Sequence, residues 1–152
     1  NGNLYRNIEW PVVVMLAAMI PVGQALETSG ISLNIANFIS ASTEGMALPW
    51  LILMVLVITM FVSDIVNNAA TAVIMAPIAA NLAIQVGQPV EPFLMAVAVG
   101  ASCAFLSPIG HQCNTLVMAP GNYKFGDYWR LGLPLECVIV AISIPMILFV
   151  WT

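Results

Sequence analysis

Long apolar runs alternate with short polar tracts along this chain, and two of those tracts sit where a membrane-length segment should be unbroken. An almost wholly apolar run, 46–62, ends in Ser63-Asp64-Ile65-Val66-Asn67-Asn68-Ala69-Ala70-Thr71, and a second run, 72–84, follows at once. Ser107-Pro108-Ile109-Gly110-His111-Gln112-Cys113-Asn114-Thr115 divides the next stretch in the same way, parting an arm at 93–106 from a continuation at 116–119. Hydrocarbon tolerates uncovered backbone and amide side chains only where protein or a wet cavity satisfies them. Paired interruptions of this kind point to a transport site near the membrane midplane.

The rest of the pattern supplies the frame. A first apolar segment covers 8–25, with Pro21 and Gly23 predicting a kink, and Glu27-Thr28-Ser29-Gly30 closes it. Ile31, Ile35, Phe38 and Ile39 recur at helical spacing in a stretch too short and too polar to span, which predicts an amphipathic helix at the interface. Gly, Pro and polar residues mark a turn at 85–92, and Pro120-Gly121-Asn122 marks another. The pattern predicts a scaffold span plus interfacial helix over 1–45 and a transport half over 46–152. The latter divides into a re-entrant hairpin (46–85), a broken helix (93–119) and a final span (131–151). The short arms and polar tip of 46–84 favour the hairpin, although two ordinary spans would leave the same sidedness. Because it starts in a polar stub at 1–6 without Met, the chain reads as a piece of a longer protein.

Composition fixes the class. The chain is 61% hydrophobic and 7% charged, with a mean hydropathy of +1.00, whereas soluble domains carry about 25% charged residues. Several stretches approach the roughly 20 apolar residues needed to cross the hydrocarbon. An all-α, multi-pass integral membrane protein follows, with the plasma (inner) membrane the expected location. Trp10, Trp50, Trp129, Trp151, Tyr123 and Tyr128 fall near segment ends, at headgroup level. Of the cations, Arg6 precedes the first span, and Lys124 and Arg130 precede the last, so both groups belong on one side, the cytoplasmic one. Cys103, Cys113 and Cys137 show no metal or disulfide spacing and read as small buried apolar residues. No HExxH, paired catalytic carboxylates or Ser with a His base is present, which argues against an enzyme. Nothing in the pattern suggests nucleic acid as a partner.

The two breaks carry the candidate chemistry. Asn67 or Asn68 can cap the second hairpin arm, leaving free N–H groups and a positive dipole end facing the tip, which binds anions without Lys or Arg. The first arm's last carbonyls, with Ser63 and the Asn side-chain oxygens, suit a hard cation such as Na⁺. Asp64 has two readings: a proton or cation site at the midplane, or a carboxylate paired with backbone donors behind the tip. In the second break Pro108 and Gly110 stop the helix, Asn114 can cap its resumption at Leu116, and Gly110 can offer its carbonyl to a cation. His111, the single histidine, is either a hydrogen-bonding residue or a proton carrier. Glu136, early in the last span, receives no role.

At these residues the chain resembles the divalent anion:sodium symporter family of the ion transporter superfamily. The likeness rests on both break motifs, on Gly121-Asn122-Tyr123-Lys124-Phe125-Gly126-Asp127-Tyr128-Trp129-Arg130-Leu131-Gly132-Leu133-Pro134, and on Ile20-Pro21-Val22-Gly23-Gln24-Ala25-Leu26-Glu27-Thr28-Ser29-Gly30. The resemblance implies one half of an inverted-repeat transporter, the C-terminal repeat: scaffold helix, outward-opening hairpin, broken helix and final helix. In that family a Ser-Asn-Thr at each hairpin tip holds the anion. The matching positions here are Asn67, Asn68 and Ala69, so the central Asn is present and both hydroxyls are missing. That leaves sulfate or another oxyanion open beside a dicarboxylate.

By the same resemblance, Asn67, Asn68, Ala69 and Asn114 face the substrate. Ser63, Val66, Asn68 and Gly110 hold Na⁺, with Val66 and Gly110 acting through main-chain oxygens. Implied partners are the small anion, the N-terminal repeat with the partner site, the lipid bilayer and a second copy in a homodimer. No cofactor is implied beyond Na⁺ as coupling ion. The expected function is secondary active transport of a small divalent anion, sulfate or dicarboxylate, coupled to Na⁺. Arsenite or other oxyanion efflux, and Na⁺/H⁺ antiport through Asp64, are the alternatives on this scaffold.

Overall fold

A computed structural model describes residues 10–43, 45–108, 110–118 and 120–151. The polar stub with Arg6, the expected segment start at Ile8, Ile109 in the second break and Ala119 at the end of the broken helix lie outside the described residues. Among those described there is no strand: seven α-helices and one 3-10 turn make up the regular structure.

Helix α1 (Trp10–Thr28) continues through Pro21 and beyond the predicted end at Ala25, with Ser29 N–H donating to the Ala25 carbonyl at 2.9 Å. Helix α2 (Ile31–Ser42) turns its small residues Ser32 and Ala36 inward and leaves Ile31, Ile35 and Phe38 exposed. That arrangement suits a helix whose apolar stripe meets lipid rather than a protein core.

Helix α3 (Leu48–Ile65) and helix α4 (Asn68–Gln85) form a helical hairpin parted only by Val66 and Asn67 in extended conformation, and at 18 residues each its arms are not the short ones expected of a re-entrant hairpin. Both are long and apolar enough to cross a membrane. Pro49 sits in the first turn of α3, where its missing N–H is no loss. The turn after α4 closes on Gly87, whose φ of +66° is the left-handed conformation a β-carbon disfavours. Gln88 N–H then reaches back to the Ala83 carbonyl at 2.9 Å, completing the helix end. Pro77 inside α4 cannot donate to the Val73 carbonyl, and it is at Val73 that Gly23 of α1 approaches most closely.

Helix α5 (Val90–Ser102) fills the wedge between the arms, packing on both α3 and α4 more extensively than they pack on each other. Its Phe93, Ala96 and Val97 meet Ile52, Leu56 and Leu82 in a core from which solvent is excluded. α1 and α2 lie against α4 on one flank. After the second break come a short helix α6 (Gln112–Met118), the 3-10 turn (Phe125–Asp127) and helix α7 (Tyr128–Trp151), which starts before the predicted Leu131. α7 packs on α3 and α5 but buries few residues, Gly132 and Ile147 among them. Lipid tails are as apolar as leucine, so association here depends on close packing and interhelical hydrogen bonds rather than on escape from water.

One expectation about side chains is corrected. Cys103 is buried as predicted, but Cys113 and Cys137 are exposed, because each lies on a helix face that no other described element covers.

Candidate functional site

The hairpin tip is built by its own sequence. Val66 ends α3 with an extended ψ of 178°, and Asn67 follows with φ −84° and ψ 160°, the conformation of a helix N-cap. Asn67 Oδ1 accepts the Ala70 N–H at 2.8 Å, so Asn67 rather than Asn68 is the cap. Asn68 and Ala69 become the first residues of α4, where N–H groups have no partner within the helix and the dipole is positive.

Freed from capping, Asn68 turns inward. One terminal atom of its amide lies 3.0 Å from Ser63 Oγ and 3.1 Å from the carbonyl oxygens of both Ala101 and Gly110. As nitrogen it brings two N–H groups to these three acceptors. As oxygen it accepts from Ser63 and makes, with Ser63 Oγ and the two carbonyls, a set of four oxygens facing one another. Ser63 is wholly buried, and with the amide nitrogen facing it its single hydroxyl hydrogen is free for the Ala101 carbonyl at 2.8 Å. The cluster thus joins the end of α3, the start of α4, the end of α5 and the second break. Ala101 was not anticipated from the sequence. The signal was there in principle, since a helix stopping at Ser102 leaves its last carbonyls without intrahelical donors.

The second break, described over 103–108 and 110–111, is held by Asp64 and Asn114 from outside it and by its own Ser107. Asp64 Oδ1 accepts the Leu106 N–H at 3.0 Å, and the Asp64 carbonyl accepts from Ser107 Oγ. Ser107 Oγ in turn accepts the Gly110 N–H at 3.1 Å. Asp64 therefore stands behind the tip against the Leu106 N–H and the Ser107 hydroxyl. Gly110 is pressed against the hairpin: a β-carbon there would lie 2.6 Å from Ala104 Cβ and 2.9 Å from the Ser63 carbonyl. Only a residue without a side chain brings this carbonyl beside Asn68.

Asn114 does not cap the resuming helix, contrary to expectation. α6 already begins at Gln112, and Asn114 Nδ2 instead donates back to the carbonyls of Ala104 (2.9 Å) and Ser107 (3.0 Å). The capping falls to His111, whose Nδ1 accepts the Cys113 N–H at 3.2 Å while its carbonyl accepts the Asn114 N–H at 3.0 Å. Tyr128 reaches over from α7 and donates its hydroxyl to the Asn114 carbonyl at 2.7 Å. Ser63, Asn68 and Gly110 are thus brought together, Asn67 and Ala69 frame the tip beside them, and Asn114 fastens the broken strand, the non-helical segment between α5 and α6. Val66 sits at the same tip, its N–H bonded to the Val62 carbonyl at 2.9 Å.

A profile of the citrate transporter family matches residues 1–100 and 48–152. The chain belongs to that family. An uncharacterized transporter of Synechocystis is 38% identical over 146 residues, covering 96% of this chain and 24% of its own length. YfbS, an uncharacterized transporter of Escherichia coli K12, is 38% identical over 147 residues, with 94% and 23% covered. A probable sodium/sulfate cotransporter 3 of Chlamydomonas reinhardtii is 32% identical over 143 residues, with 91% and 16% covered. The chain therefore spans a quarter or less of these relatives' length. Membership of the citrate transporter family, with relatives named for sodium/sulfate cotransport, accords with the likeness to divalent anion:sodium symporters, and the chain is an integral membrane protein.

Proposed function

We propose that the full-length protein is a secondary active transporter that moves a small divalent anion, sulfate or a dicarboxylate, together with Na⁺. The observation that carries this reading is the oxygen cluster of Ser63, Asn68, Ala101 and Gly110, drawn together where two interrupted helices meet inside an apolar chain. Neutral hydroxyl, amide and carbonyl oxygens at broken helices are the usual setting for Na⁺ in such transporters. The Asn68 amide gives the cluster two settled states. With the cation away, its two N–H groups and the Ser63 hydroxyl serve the acceptors around them; with the cation bound, a turn of the amide presents its oxygen instead. Val66 adds its main-chain oxygen from the extended tip.

The anion sits against the start of α4, where Asn68 and Ala69 offer first-turn N–H groups and the dipole is positive. Asn67 borders it, and Asn114 supports it indirectly by holding the broken strand. A cation next to the anion offsets the cost of bringing the anion's charge into the membrane, so each ion strengthens the binding of the other. The relative named for sodium/sulfate cotransport supports this substrate class, as does a tip that lacks the hydroxyls of Ser-Asn-Thr. An N-terminal repeat supplies the partner site, and the protein works as a homodimer in the plasma membrane.

The test is uptake of labelled sulfate and of a dicarboxylate into vesicles holding the full-length protein, under an inward Na⁺ or K⁺ gradient. We expect uptake of at least one of them with Na⁺ and none with K⁺. Uptake that ignores Na⁺ and follows a pH gradient would overturn Na⁺ coupling in favour of Asp64 or His111 as proton sites. Arsenite extrusion without uptake of either anion would overturn the substrate class.

A further inference from the structure

The open end of the hairpin lies a helix length from its tip, where α3 begins, α4 ends and α2 stops. A cavity of about 320 Å³ sits at this junction, and Ser40, Thr43, Gln85 and Gln88 give it a polar wall. The Gln85 amide nitrogen is buried there with no hydrogen-bond partner among the described residues. A buried donor left unmet forfeits a hydrogen bond, so the cavity calls for an acceptor. α3 also starts at this wall without a side-chain cap, leaving the positive end of its dipole open. Acceptors lie opposite. Thr43 is buried and already donates its hydroxyl to the Ile39 carbonyl at 2.8 Å, so toward an occupant it accepts. α2 and α4 both end here, bringing last-turn carbonyls and the negative ends of two dipoles. The wall thus suits an anionic oxygen and a cationic group side by side.

A second cavity, of about 370 Å³, shares Thr43 and Met46 with the first. Its wall is mostly apolar, and Trp50, Leu53, Met54 and Val57 line it at positions i, i+3, i+4 and i+7, one continuous face of α3. From Leu48 to Val57 this groove descends about 14 Å at the ~1.5 Å rise of each helical residue, close to the roughly 15 Å of one hydrocarbon leaflet. Leu48 and Gln85 end the two membrane-length helices, so the polar cavity lies at a membrane face and the groove runs inward from it. Trp50 stands near the boundary, where an indole favours headgroup level. The described lining residues carry no charged side chain, and the nearest charges in the sequence, Glu44 and Glu91, are both acidic. An anionic headgroup finds no cation here, whereas an ammonium is favoured.

We propose that the two cavities form one binding site for a zwitterionic, amine-bearing phospholipid. The phosphate takes the Gln85 amide and the uncapped start of α3. The ammonium takes Thr43 and the ends of α2 and α4, and one acyl chain lies along the face from Trp50 to Val57. Bound so, the lipid joins α2 to the mouth of the hairpin. The site is separate from the oxygen cluster, and its test uses neither Na⁺ nor a transported anion.

The test is native mass spectrometry of the full-length protein in mild detergent, loaded with phosphatidylethanolamine or with phosphatidylglycerol of the same chains. We expect one phosphatidylethanolamine per protomer to outlast washing that removes phosphatidylglycerol. Gln85→Leu should weaken that retention about three- to tenfold, the loss of one hydrogen bond. Met54→Trp, which fills the groove, should weaken it as well. Equal retention of both lipids, or retention that either variant leaves unchanged, marks ordinary boundary lipid and overturns the proposal. Displacement by an equal concentration of glycerophosphoethanolamine, the headgroup without chains, would show that the groove holds no chain and would overturn it too. Should the variants not fold, wild-type protein in vesicles containing phosphatidylethanolamine with a photoreactive chain decides. Cross-links within 50–57 support the site, and cross-links only elsewhere show the groove covered by another part of the protein and overturn it.

Discussion

The two breaks reach the same point by different means. At the hairpin tip two extended residues suffice, because Asn67 carries its own cap and its bond to Ala70 spans only three positions. At the second break the helix is open over 103–108 and 110–111, and its backbone groups are met by Asp64 and Asn114, residues on two other elements. The first break is local chemistry and the second is tertiary chemistry. A site built from one of each has a fixed half and a half whose shape depends on what packs against it. The second, dependent half holds the Gly110 carbonyl, so a change anywhere around the broken strand can reach the cation ligands.

The largest effect is expected where the halves meet. Asn68→Ala removes the one group that contacts Ser63, Ala101 and Gly110 together. Leaving buried acceptors unmet costs about 1–3 kcal/mol, and each 1.4 kcal/mol is about tenfold in affinity. The Na⁺ concentration for half-maximal uptake should therefore rise by about tenfold or more in vesicle assays, with expression retained. An unchanged Na⁺ response would remove Asn68 from the site.

Gly110→Ala comes next, since its β-carbon would meet both Ala104 and the Ser63 carbonyl. Overpacking of this kind costs about 1–3 kcal/mol. A lowered melting temperature should accompany a weaker Na⁺ response. Weakened Na⁺ response at an unchanged melting temperature would show that the strand yields without strain, sharpening the view of it as the adaptable half.

Asn67→Ala and Asn114→Ala set the two breaks directly against each other. Loss of the cap should cost about 1 kcal/mol and be restored by Asn67→Asp or Asn67→Ser. Asn114→Ala strips the donor from two carbonyls and should cost more, about 1–3 kcal/mol, with no rescue by Asp, which has no donor to offer. Equal losses in thermal unfolding, or rescue of both by Asp, would erase the contrast between local and tertiary closure.

The smallest change is Tyr128→Phe, which deletes one hydroxyl bonded to the Asn114 carbonyl at 2.7 Å. A single hydrogen bond contributes about 0.5–1.5 kcal/mol. A melting-temperature shift of that order, with Na⁺ dependence intact, would place Tyr128 outside the cation site.

Much of this was legible in the chain. Apolar length and the scarcity of charge made it a membrane protein, because an apolar segment has nowhere else to go. The polar tracts at 63–71 and 107–115 overlap both breaks, although α5 stops at Ser102, short of the expected 106, and α6 resumes at Gln112, ahead of the expected 116. The cap at the tip followed from an Asn ahead of helix-forming residues, a relation that stays within one turn and is visible in one dimension. What the sequence did not reveal are pairings across long separations. Asn114 looked like a cap, but a donor reaching back to Ala104 and Ser107 depends on how the strand folds over it. Ala101 has no polar side chain to draw notice; only the end of α5 exposes its carbonyl, and only packing between the hairpin arms brings that carbonyl to Ser63. The sequence by itself determined which groups must be buried and where helices must break, since hydrogen-bond demand and hydrophobicity are properties of residues. The tertiary structure alone decided which groups satisfy one another, since that depends on distances that only packing sets.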